Sequence, residues 1–79
     1  MTLEKNIGLN RLFPGETAVV KSLNSGGALR RRLLDMGLVE GTRVECLGVS
    51  PGGDPKAFLV RGAVLAIRCR DCRDIAIDP

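Results

Sequence analysis

The sequence predicts a mainly β fold, a small barrel of about five strands with one short α-helix inserted after the first strand. Two observations carry this expectation. Short runs rich in Val, Ile and Leu alternate with turn-forming clusters of Pro, Gly, Asn and Asp, and a single stretch spaces its apolar residues for a helix. The 79 residues suffice for one compact domain, 1–79, with one modest core. Phe13 and Phe58 are the only aromatic residues, so that core is expected to be aliphatic and β-branched.

Met1 to Asn10 read as a lead-in, and Leu9, Leu12 and Phe13 precede the turn signal Pro14-Gly15. The first strand is then Thr17 to Leu23, which contains Ala18, Val19 and Val20 and ends in Asn24-Ser25-Gly26-Gly27. From Ala28 to Met36, Leu29, Leu33 and Met36 fall at i, i+4 and i+7, so one helical face is apolar and docks on the barrel. Arg31 and Asp35 lie on the opposite face, and Gly37 supplies a left-handed stop. The turn Leu38 to Gly41 feeds a strand, Arg43 to Val49, in which Val44 and Cys46 alternate with Arg43 and Glu45. Leu47 and Val49 break that alternation, and a bulge or strong twist near Gly48 is expected to return them to the core. Ser50 to Pro55 is the tip of a hairpin leading to Ala57–Val60. Two further strands place Leu65 and Ile67, then Ile75 and Ile77, on the inner side, with a charged turn from Arg70 to Asp74 between them.

Composition excludes several function classes. Histidine is absent, which removes histidine-dependent triads and zinc proteases, and nothing supplies a nucleophile beside a base; the chain is expected not to be an enzyme and to need no cofactor. Three cysteines cannot all pair within one chain, and no export signal is visible, so a cytoplasmic location is expected. No apolar run approaches the roughly eighteen residues of a membrane-spanning helix, so any role at a membrane goes through a partner. The net charge of +3 comes from twelve basic residues interspersed with nine acidic ones, unlike the field of a dedicated nucleic-acid binder.

Cys69-Arg70-Asp71-Cys72 is the one chemically loaded spacing, because two thiolates three apart can clamp a soft metal or exchange with a disulfide. A structural zinc site needs four ligands, and only Cys46 and a carboxylate are at hand to complete the set, so buried or incidental cysteines are the expectation and no metal site is assigned. Arg30, Arg31 and Arg32 point in directions about 100° apart and cannot converge on one phosphate. Leu34, however, lies beside Arg30 and away from the Leu29, Leu33 and Met36 face, an apolar contact flanked by a charge that could meet a partner. The glycine-rich segments lack the ending of a phosphate loop and read as turns, and Asp71 and Asp74 read as solvated surface.

In order and spacing these pieces resemble the FeoA family across nearly the whole chain. The matching features are Leu12 with Pro14-Gly15, Arg32-Leu33, Gly37-Leu38 with Gly41, Pro51, Gly53-Asp54-Pro55, Arg61-Gly62, Leu65-Ala66-Ile67-Arg68, and the closing Ile75 and Ile77. The resemblance implies an SH3-like barrel that regulates or assembles a membrane ferrous iron transporter, by docking on its cytoplasmic G-protein part and without chemistry of its own. Similar SH3-like domains end metal-dependent repressors of the diphtheria-toxin-repressor type, but no helix-turn-helix pattern stands ahead of the barrel in this sequence, so a free-standing accessory protein is expected. Cys72 departs from the family, where a small apolar residue such as alanine is usual, and this supports a packing role; Cys69 occupies a variable position.

An interaction protein for iron transport is thus the leading expectation, with docking through Arg30 and Leu34 or through Pro51, Gly53, Asp54 and Pro55 at the hairpin tip. The rivals are a cysteine-based transition-metal-binding protein and a small nucleic-acid-binding SH3-like barrel. The scarcity of stacking aromatics weighs against the latter, and no nucleic-acid partner is expected. A homo-oligomer is compatible with the sequence.

Overall fold

A computed structural model describes residues 7–78; the first six residues of the lead-in and Pro79 lie outside the described residues. Six antiparallel strands form one sheet: β1 (Ile7–Gly8), β2 (Thr17–Leu23), β3 (Arg43–Val49), β4 (Lys56–Val60), β5 (Ala63–Ile67) and β6 (Ile75–Asp78). Helix α1 (Gly27–Asp35) joins β2 to β3, and α2 (Cys69–Cys72) joins β5 to β6. The strand order is β1-β6-β2-β3-β4-β5, with β1 and β5 as its two edges, so the barrel is not closed by strand pairing among the described residues.

β2 makes the sheet curl. Its first half pairs with β3, Ala18 opposite Val44, and its second half pairs with β6, Val20 opposite Ile77, with a register shift between Val20 and Ser22. One strand shared in this way between two neighbours bends sharply, and a bulge supplies the bend. Ala18 and Val20 thereby face the core while Thr17 and Val19 face out.

The core is aliphatic apart from Phe58 and the thiols of Cys46 and Cys72, all three fully buried. Of the expected anchors, Leu33, Ile67, Ile75 and Ile77 are buried, and Leu29, Met36 and Leu65 pack half-buried against them. α1 begins at Gly26 with no side-chain cap and depends on its other end. There the Leu38 N–H donates to the Leu33 carbonyl and the Gly37 N–H to the Leu34 carbonyl, both at 3.0 Å, which is a Schellman stop. Gly37 has φ +98°, a left-handed conformation that favours glycine, and the Arg61 side chain lies against it.

Three expectations are corrected. A sixth strand exists because Ile7 and Gly8 pair with Ile77 and Ala76; two residues are too few to show any alternation. The charged turn after β5 contains a helical turn, α2, because Cys72 must swing back into the core. A bulge does interrupt β3, with the register shifting between Cys46 and Gly48, but it leaves Leu47 and Val49 exposed instead of returning them to the core. The extra residue of a bulge is unpaired, and here Leu47 is left on the solvent side.

Candidate functional site

The helix edge is built by the phase of α1. Leu33 is drawn into the core, which leaves Arg30, Arg31 and Arg32 exposed and turns Leu34 to a half-buried position at the rim. Leu34 is thus partly covered by its own fold, and Arg30, one turn earlier, stands free beside it.

The hairpin tip is fastened to the start of α2. Within the tip, the Gly53 N–H donates to the Ser50 carbonyl at 2.7 Å and the Ser50 N–H to the Pro55 carbonyl at 3.1 Å. Outward from it, Asp54 Oδ1 accepts the Cys69 N–H at 2.9 Å, and the Cys69 thiol donates to the Gly53 carbonyl at 3.3 Å. The structure therefore joins Cys69 to Gly53 and Asp54, which sequence reasoning held apart. Pro51, Gly53 and Asp54 remain exposed and Pro55 is half-buried. The hydrogen bonds among the described residues tie this tip to α2 and not to α1, so the two candidate surfaces are separate.

The cysteines do not converge. Cys46 on β3 and Cys72 on α2 are fully buried, while Cys69 is half-buried at the surface. Burial pushes the Cys72 thiol up to about 12, with the neighbouring Cys69 adding to the effect, and its Sγ rests 3.7 Å from the Ile67 carbonyl. Burial likewise raises Cys46, against an opposing backbone contact from Gly48. Both are thiols, not thiolates, at neutral pH, and the thiolate is the metal ligand and the nucleophile. Among the described residues no three Cys, Asp or Glu side chains are grouped to hold a metal ion.

Sequence reasoning missed Lys56. Its side chain is buried, and Nζ donates to the Asn10 carbonyl at 2.6 Å and the Leu12 carbonyl at 3.0 Å while standing 5.6 Å over the Phe13 ring. The lead-in is pinned to β4 by this one ammonium. Beside it Phe13, 65% exposed, borders an open groove of about 1080 Å³ that also carries Arg11 and Arg73. A lone aromatic ahead of Pro14-Gly15 was the available signal.

With this geometry in view, a family model for the FeoA domain matches residues 7–79. A fusion of Fe(2+) transport protein A with the Fe(2+) transporter FeoB from Porphyromonas gingivalis is 27% identical over 70 residues, 89% of this chain. The chain spans 8% of the length of that relative. Among solved structures, an FeoA-like protein from Clostridium acetobutylicum is 34% identical, with a TM-score of 0.85 over 96% of this chain and 88% of that one. The zinc complex of FeoA from Stenotrophomonas maltophilia, described as a prokaryotic SH3 domain protein, is 29% identical with a TM-score of 0.82 over 91% of this chain and 89% of that one. The open six-stranded sheet is accordingly an SH3-like fold.

Proposed function

The chain belongs to the FeoA family, and on that premise we propose that it is a single-domain, non-enzymatic, cytoplasmic accessory protein for ferrous iron uptake. Its partner in this reading is a membrane ferrous iron transporter, met at the cytoplasmic G-protein part. The FeoA match over residues 7–79 carries the proposal, and the relative in which transport protein A and FeoB share one polypeptide supports it, since fusion suits partners that act together. Among the described residues no helix is long and apolar enough to cross a membrane, and the transporter is the proposed route to the bilayer. Less supports the rival readings: Cys46 and Cys72 are buried apart from the surface cysteine Cys69, and burial of Phe58 leaves Phe13 as the one aromatic ring open to a base.

Docking is proposed first through Arg30 with Leu34, with the hairpin tip at Pro51, Gly53, Asp54 and Pro55 as the alternative surface. The pair Arg30→Glu and Leu34→Ser removes apolar contact area and reverses a charge while leaving Leu33 in the core. Calorimetry against the transporter's cytoplasmic part is expected to give at least about tenfold weaker binding for the folded double variant. Undiminished affinity would move the docking surface to the hairpin tip.

A further inference from the structure

The two edges of the sheet are managed differently. Among the described residues β1 spans two residues, and very short edge strands offer little for another chain to pair with. β5 runs five residues, Ala63-Val64-Leu65-Ala66-Ile67, with no charge, proline or bulge to blunt it. Among the described residues it pairs with β4 alone, through the two-residue turn Arg61-Gly62, both residues at positive φ as a type I′ hairpin requires.

That turn sets which backbone groups are used. Val60 and Ala63 flank it as a hydrogen-bonded pair, and antiparallel pairs alternate, so Leu65 with Phe58 and Ile67 with Lys56 are also bonded. Val64 and Ala66, opposite Leu59 and Ala57, are the unbonded pairs, and their N–H and C=O groups point away from β4. Neither residue makes a backbone bond to any turn or loop among the described residues. Both are exposed, Val64 at 64%. The result is an unpaired edge about 17 Å long.

We infer that the free edge of β5 takes up an extended segment of a partner protein as a seventh strand, one with an uncharged centre and acidic residues at its flanks. The charges choose this occupant over a second copy of the chain. Arg61 and Arg68 stand exposed at the two ends of β5. In a symmetric antiparallel pair of β5 strands, Val64 would bond Ala66 of the other copy and Leu65 would sit on the axis. That register brings Arg68 of one copy against the Arg61-Gly62 turn of the other at both ends, and like charges so placed repel. Acidic flanks on a foreign strand meet the same two arginines favourably. The inference stands on the sheet edge and does not require the transporter to be the source of the strand.

Amide hydrogen exchange on the full chain tests it, with a synthetic peptide of alternating valine and threonine flanked by glutamate as the probe and a lysine-flanked twin as control. In the free chain the Val64 and Ala66 amides exchange rapidly while the Leu65 amide is protected; the glutamate-flanked peptide protects all three and binds at least about tenfold more tightly than its twin. Ala66→Pro deletes an edge donor that β4 does not use and is expected to weaken peptide binding about tenfold in a folded protein. Arg68→Glu, which leaves every backbone group in place and Arg61 as the one basic end, abolishes the preference between the two peptides. Failure of the glutamate-flanked peptide to protect Val64 and Ala66 at millimolar concentration overturns the inference. So does protection of both amides in the free chain together with a dimer in sedimentation, which would give the edge to a second copy.

Discussion

Lys56 holds a buried ammonium against the Asn10 and Leu12 carbonyls, two acceptors that no other group described here satisfies in its place. Hydrogen bonds from a charged donor are worth more than neutral ones, and removing the donor leaves two carbonyls short of a partner, so Lys56→Met is expected to lower stability by roughly 1.5–3 kcal/mol. Urea denaturation measures this, and loss of Phe13 packing should accompany it. Cys72 sets a pH dependence. Its thiol moves from an ordinary value of 9.0 to about 12 in the fold, because burial disfavours the thiolate. A raised value stabilises the fold fully below the unfolded pKa and ceases to do so as pH rises through the folded one. Unfolding free energy should therefore fall between about pH 9 and about pH 12, with Cys46 acting in the same direction. Cys72→Ala should flatten the slope in denaturation measured at a series of alkaline pH values under reducing conditions.

α1 has weak local support: Gly26 offers no side chain to cap it, and its nine residues are too short to be stable alone. It is held by the Schellman stop at Gly37 and by Leu33, which is 1% exposed and adjoins the equally buried Leu38. Leu33→Ala should cost about 2–5 kcal/mol, enough to unfold much of so small a protein, and thermal denaturation decides it. A nearly unchanged melting curve would contradict the packing described here. α2 is shorter still, and its single turn is kept by the Asp54 carboxylate on one side and the buried Cys72 on the other.

At the scale of the molecule, the three cysteines are divided between core and surface, so reduced, purified protein is expected to carry no stoichiometric zinc or iron; elemental analysis showing one tightly held metal, lost on replacing Cys69 and Cys72, would contradict this. Much of the fold was legible from local pattern. The strand-forming run of Ala18, Val19 and Val20, the alternation of Val44 and Cys46 with Arg43 and Glu45, the i, i+4, i+7 stripe of Leu29, Leu33 and Met36, and the turn chemistry of Pro14-Gly15 and Gly37 each need only neighbouring residues to express them. Helix edge and hairpin tip were proposed from local pattern alone; the fold leaves Arg30, Pro51, Gly53 and Asp54 exposed but half-buries Leu34 and Pro55. The remainder depends on residues distant in sequence. Lys56 is bonded to carbonyls 44 and 46 positions away, Cys69 is bonded to a loop 15 and 16 positions before it, and among the described residues β5 keeps a free edge while β1 pairs with β6. Periodicity reports which face a residue takes within its own element; which other element meets that face, and which edge is left without one, is settled by packing the whole sheet.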